Sequence, residues 1–107
     1  MPLDVSRIST LAKMVPEWTV MSEQRIAREF VLPSFMSAIS WVVKVAEISE
    51  AEDHHPTIEI NFAKVRIELT THSVKGLSEN DFILAAKLDR SFKQWTSAEL
   101  GVSMIEE

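Results

Sequence analysis

The side chains best suited to proton chemistry in this chain are three histidines, His54, His55 and His72. Two of them are adjacent, in the stretch Glu50-Ala51-Glu52-Asp53-His54-His55-Pro56, and the carboxylates of Glu47, Glu50, Glu52 and Asp53 fall within two helical turns of them. An imidazole titrates near neutrality and is the usual general acid or base. Carboxylates beside an imidazole favour its charged form, which makes it a usable acid. A plainer reading stands beside this one: an imidazolium suits the negative end of a helix dipole, and for either histidine alone that reading is the stronger. Adjacent histidines are not the i, i+4 pair of a His-Glu-x-x-His zinc site, so no metal is expected.

The elements around these residues decide whether they meet. A helix is expected from Pro33 or Ser34 to Glu52, with Phe35, Ala38, Ile39, Val42, Val43 and Ala46 as its apolar stripe and Met36, Trp41 and Val45 partly off it. Acids at its C-terminal end oppose the macrodipole, a poor local choice unless they have another task. Pro56 bars the helix from continuing and pushes His55 toward extended backbone. Thr57 to Phe62 then alternates, with Ile58, Ile60 and Phe62 on one face, and Val65 to Leu69 does the same with Val65, Ile67 and Leu69. The short Ala63-Lys64 link predicts an antiparallel hairpin, although it lacks Asn-Gly turn chemistry. Thr70 to Ser73 ends the second strand, and Val74 to Leu77 is a loop. Such a hairpin brings His54, His55 and His72 to one edge of the sheet, where the acid–base reading and the plain one stand level.

The helix opened by Ser78-Glu79-Asn80-Asp81 has Ser78 as N-cap and Phe82, Ala85, Ala86, Leu88, Phe92 and Trp95 as its buried stripe. Asp81 reads first as a capping acid, and its place after the His72 loop also suits it to orient an imidazole. Thr96 to Glu107 is expected to be a partly ordered tail. Ahead of the central helix, residues 1–16 predict a short helix capped by Asp4 or Ser6, with Val5, Ile8, Leu11, Ala12 and Val15 at helical spacing and Pro16 closing it. Strands follow at Trp18–Val20 and Arg25–Leu32, around a turn at Met21–Gln24. Trp18, Trp41 and Trp95 read as core, Arg66 and Glu68 as a solvated face. The order α-β-β-α-β-β-α gives an α+β fold, one four-stranded antiparallel sheet with three helices on one face, in a single domain over residues 1–107.

The totals exclude several classes. A net charge of −5 and a pI near 5.2 argue against direct contact with nucleic acid or an anionic membrane. With no cysteine there is no disulfide, thiolate catalysis or zinc–cysteine site. No apolar run is long enough for a membrane helix, and Met1-Pro2-Leu3-Asp4 lacks a secretory h-region, so a cytoplasmic protein is expected. Two glycines in all leave no Gly-rich phosphate loop.

The spacing Glu50, three residues, His54-His55-Pro56, five residues, Phe62, nine residues, His72, eight residues, Asp81 resembles the signature of the pterin-4a-carbinolamine dehydratases. Asp53 to Pro56 and Thr70 to Asp81 are similar to that family as well, whereas before residue 33 the likeness rests mainly on Trp18. The resemblance implies the same α+β fold, assembled as dimers commonly paired into tetramers. It implies dehydration of 4a-hydroxytetrahydrobiopterin to a quinonoid dihydropterin, recycling the cofactor of aromatic amino-acid hydroxylases, with no cofactor or metal in the enzyme itself. By the same likeness the catalytic group is His54, His55, His72 and Asp81, with His54 and His72 as the proton-transfer pair and His55 positioning substrate. Asp53, Thr71 and Ser73 line the pterin, while Glu50, counted with that binding group, and Asp81 support or orient the histidines. The chain departs from many relatives at Ile58, where an aromatic residue is frequent, which implies weaker substrate affinity. The resemblance also admits a different class, a binding or scaffolding protein on this fold such as a dimerisation cofactor of a homeodomain transcription factor. Three histidines at this spacing favour the enzyme, since a scaffold has no need of them.

Overall fold

A computed structural model describes residues 1–99 of the chain. Its elements are α1 (Val5–Ala12), β1 (Thr19–Val20), β2 (Ile26–Val31), α2 (Phe35–Glu52), β3 (Thr57–Asn61), β4 (Lys64–Leu69) and α3 (Glu79–Glu99), with short 3₁₀ turns at Ser22–Gln24 and His72–Val74. The four strands form one antiparallel sheet in the order β1-β2-β4-β3. Chain order leaves strand neighbours open; the pairing of Ile26 with Leu69 through Val31 with Lys64 makes β2 and β4 the central pair. The fold class and element order agree with the sequence expectation. Among the described residues no helix is long and apolar enough to cross a membrane.

Local chemistry explains each boundary. Asp4 caps α1 by accepting from Arg7 N at 2.8 Å, and the helix ends at Ala12, short of Pro16. Ser34 and Ser37 form a reciprocal capping box at the start of α2, each hydroxyl taking the other's backbone N–H at 3.0–3.1 Å. In the hairpin, Asn61 pairs with Lys64, leaving Phe62-Ala63 as a two-residue turn. Without glycine there, Phe62 itself takes left-handed backbone (φ 54°), at a cost of about 1–2 kcal/mol.

The core lies between the sheet and the helices. Val65, Ile67 and Leu69 of β4 and Ile26 and Phe30 of β2 are buried against Trp41 and Val45 of α2 and Leu84, Ala85 and Leu88 of α3. The phase of α2 differs from the expected stripe. Ser37, Ala38, Trp41, Val45 and Ser49 face inward, whereas Phe35 and Val43 are 46% and 53% exposed. Trp41 sets this phase, packing on Phe30, Phe92 and Trp95 at centroid distances of 4.9–5.6 Å. Two serines on the inner face hide it from a hydrophobicity count. In α3, Leu84 is buried and Ala86 exposed, the helix continues past Trp95 to Glu99, and the remainder of the expected tail lies outside the described residues. On β3, Ile60 and the adjoining Phe62 are 38% and 72% exposed, because β3 is an edge strand.

Arg66 and Glu68, on the open face of the sheet, are more than solvated charges. Arg66 and Arg25 both bind the Glu68 carboxylate at 3.0 Å. Burial pushes that carboxyl up, but the hydrogen bonds and charges of the two arginines outweigh it and hold it below the ordinary glutamate value.

Candidate active site

The α2 terminus places the histidine pair. Asp53 adopts left-handed backbone (φ 53°, ψ 42°), with its N–H on Glu50 O at 3.1 Å and His54 N–H on Ser49 O at 3.1 Å. These two bonds make a Schellman motif, with aspartate in the position glycine usually fills. Helix α2 is therefore ended by Asp53, three residues before Pro56 starts the extended chain. The turn folds His54 back toward α3. Its Nε2 lies 2.6 Å from Asp81 Oδ1, with the His54 side chain 15% exposed and Asp81 fully buried. His55 faces the other way, where its Nε2 meets Glu50 Oε1 at 2.9 Å in an exposed pair.

Asp81 serves two tasks at once. Its Oδ2 accepts from Ser78 N at 3.0 Å, the return half of a capping box on α3 with aspartate as the acid. The same oxygen accepts from Thr71 Oγ1 at 2.7 Å. Capping acid and imidazole partner are thus not alternatives, because the two carboxylate oxygens divide the work.

Strand β4 ends at Leu69, so His72 does not close it; it begins the 3₁₀ turn that follows. Thr71 and Gly76 pair across this loop, Thr71 N to Gly76 O at 2.9 Å, and Lys75 N–H returns to His72 O at 3.1 Å. Lys75 closes the turn in left-handed backbone (φ 57°). His72 and Ser73 are exposed, and so is Asp53. The β3–β4 register, with Thr57 opposite Glu68, sets the His54-His55 segment and the His72 loop at the same end of the hairpin. Two groups result. His54, Asp81, Thr71 and Ser78 are joined by hydrogen bonds, as are His55 and Glu50, while His72, Ser73 and Asp53 flank them on the surface.

Ser78 was legible only as a helix cap, and its proximity to Thr71, 2.7 Å between hydroxyl oxygens, was not legible at all. A Ser-x-x-Asp capping box directly after a histidine-bearing loop is the signal that identifies it. Chemically the arrangement offers one imidazole oriented by a buried carboxylate, beside two exposed imidazoles.

Comparison with known proteins identifies the family. The family profile described as Pterin 4 alpha carbinolamine dehydratase matches residues 1–91. A protein of Halorhodospira halophila is 43% identical over 89 residues, covering 82% of each chain, and one of Chlorobium luteolum is 38% identical over 96 residues, covering 87% of this chain and 84% of its own. The names of both assign them, provisionally, as pterin-4-alpha-carbinolamine dehydratases. Among solved structures, a transcriptional coactivator/pterin dehydratase from Brucella melitensis superposes with a TM-score of 0.78 at 27% identity, covering 84% of this chain and 97% of its own. With its sheet order, its histidine pair at the end of α2 and the profile match over most of its length, the chain belongs to the pterin-4-alpha-carbinolamine dehydratase family.

Proposed function

We propose that this protein catalyses loss of water from a 4a-hydroxytetrahydropterin, yielding a quinonoid dihydropterin and so regenerating a pterin cofactor of the aromatic amino-acid hydroxylase kind. The observation that carries this reading is the His54–Asp81 pair, an imidazole held by a fully buried carboxylate within reach of the surface. The reaction needs an acid to protonate the hydroxyl on C4a as the C–O bond breaks. It also needs a base to take the proton from the ring nitrogen as the C=N bond forms. His54 and His72 supply the two proton transfers, and His55, steadied by Glu50, positions the ring. Asp53 and Ser73 border it. General acid–base groups of this kind contribute about 10²–10⁴-fold each.

Conversion of synthetic 4a-hydroxytetrahydropterin is the direct test. The wild type is expected to accelerate it, and His54→Ala and His72→Ala each to lower kcat by at least about 10²-fold with an unchanged far-ultraviolet spectrum. A wild type that gives no acceleration ends the enzyme reading. Two folded, fully active variants end only the assignment of roles.

The proposal includes self-association into a dimer or tetramer. Edge strand β3 carries a single charge, Glu59, along its five residues, and leaves Ile60 and the adjoining Phe62 exposed. Natural edges that stay unpaired are usually blocked by charge or kinking. Ile60→Lys is expected to shift the sedimentation distribution toward monomer. A distribution that does not move counts against β3 as the contact.

A scaffolding role on the same fold is the second reading, favoured by the Brucella protein's description as a coactivator as well as a dehydratase. It predicts that substituting the histidines leaves the protein's biological role intact.

A further inference from the structure

We propose that Ser78 is a positioning residue for His54, acting through Thr71 and Asp81 to fix which ring nitrogen of His54 faces the substrate. The direction of the hydrogen bonds follows from their backbone ends, because a backbone N–H only donates. Asn80 N–H donates to Ser78 Oγ at 3.2 Å. Thr71 Oγ1 donates to Asp81 Oδ2 at 2.7 Å, and a hydroxyl has one hydrogen. The 2.7 Å contact between Ser78 Oγ and Thr71 Oγ1 is therefore donated by Ser78. The chain runs one way, from the first turn of α3 through two hydroxyls to Asp81, and bonds aligned in this manner strengthen one another.

Ser78 N–H donates to the same Oδ2 at 3.0 Å, so that oxygen already receives two donors. Among the described residues, Oδ1 is left for His54 alone, at 2.6 Å. An ionised carboxylate accepts on both oxygens, so the hydrogen of this bond sits on His54 Nε2. Nδ1 is then the atom that exchanges protons with a substrate. On this assignment Thr71 does not line the pterin with its hydroxyl, which is spent on Asp81. The catalytic meaning of the relay rests on the dehydratase reading above, but the tautomer it enforces does not.

Ser78→Gly tests the relay with little risk to the fold. Helix N-caps accept glycine nearly as well as serine, and the backbone N–H to Asp81 is kept. With histidine labelled in nitrogen-15 and no substrate present, the wild type is expected to show His54 as the pure Nε2–H tautomer when neutral. In Ser78→Gly the Asp81 carboxylate is still an acceptor but is held less firmly through Thr71, so the ring leaves it part of the time and a mixture of tautomers is expected. In turnover, kcat is expected to fall roughly fivefold with KM little changed. Ser78→Thr, which restores a hydroxyl, is expected to recover both. Thr71→Val removes the relay one step nearer Asp81 and is expected to show the same spectral change with a larger loss of kcat. If Ser78→Gly and Thr71→Val both keep the wild-type tautomer, the positioning role is overturned whatever their turnover. If the tautomer shifts while even the wild type converts no pterin, the dehydratase reading fails and the positioning role stands.

Discussion

Asp81→Asn is expected to lower dehydration kcat by about three orders of magnitude while the protein remains folded. The substituted amide has one oxygen and one NH₂ where the carboxylate had two acceptors. Ser78 N–H and Thr71 both donate to the Oδ2 position, so the amide oxygen is drawn there. Its NH₂ then faces His54 across the 2.6 Å contact and can be accommodated only if Nε2 becomes the acceptor. The ring hydrogen moves to Nδ1, and the nitrogen offered to substrate changes from acceptor to donor. An amide behind a catalytic imidazole is known to cost about 10⁴-fold in other systems through this wrong tautomer. Initial rates with 4a-hydroxytetrahydropterin, paired with thermal melts, provide the check. A variant that retains a tenth or more of wild-type kcat removes Asp81 from the orienting role.

Asp89→Ala is expected to destabilise the fold by roughly 2–3 kcal/mol, for a reason remote from the histidines. Arg28 stands opposite Ile67 on the helix-covered face of the sheet, with its guanidinium 4.2 Å from the centre of the Phe30 ring and 5.5 Å from that of Phe92. Asp89 of α3 reaches it at 2.7 Å and also accepts the Trp18 indole N–H at 2.8 Å on the same oxygen. The side chains are 17% and 24% exposed, so the loss is set below the roughly 3–5 kcal/mol of a fully buried pair. Alanine leaves a largely desolvated cation and a buried indole N–H without their acceptor. For a domain of this size the melting temperature should fall by about 10 °C or more. Urea denaturation of Asp89→Ala and of the double variant Arg28→Met/Asp89→Leu separates the causes. If stranded charge is the cost, the double variant recovers much of the loss; if it is no better than Asp89→Ala, packing at that position is responsible.

How far the sequence carried depended on the kind of contact. The strands and helices were legible from alternation and helical spacing, and the hairpin that sets the His54-His55 segment and the His72 loop at one end followed from its short link. The phase of α2 was not, because its inner face includes Ser37 and Ser49, and the volume of Trp41 rather than average hydropathy determines which side packs. The end of α2 was legible but not its cause: Pro56 announces a break, yet an aspartate in left-handed backbone makes it earlier. Glu50 beside His55 and Asp81 beside His54 lie five and 27 residues apart. Neither spacing carries a periodic signal, so only the Schellman turn and the docking of α3 reveal which acid serves which histidine. The Arg28–Asp89–Trp18 cluster was invisible for the same reason, Asp89 lying more than sixty residues from both Arg28 and Trp18.

Between its anchors at Thr71 and Gly76, the segment that carries His72 is held by backbone bonds, through the Thr71–Gly76 pairing and the bond from Lys75 to His72, with its side chains at 72, 73 and 75 exposed. Releasing it disturbs little of the core, whereas releasing His54 means withdrawing it from a carboxylate buried at the start of α3. The two imidazoles of the proposed reaction therefore begin with unequal freedom. On the proposed reaction, closing a pterin between them would restrict mainly His72, so most of the ordering entropy lost on binding would fall on one loop, and a residue that stiffens that loop would tighten binding without touching the ligand.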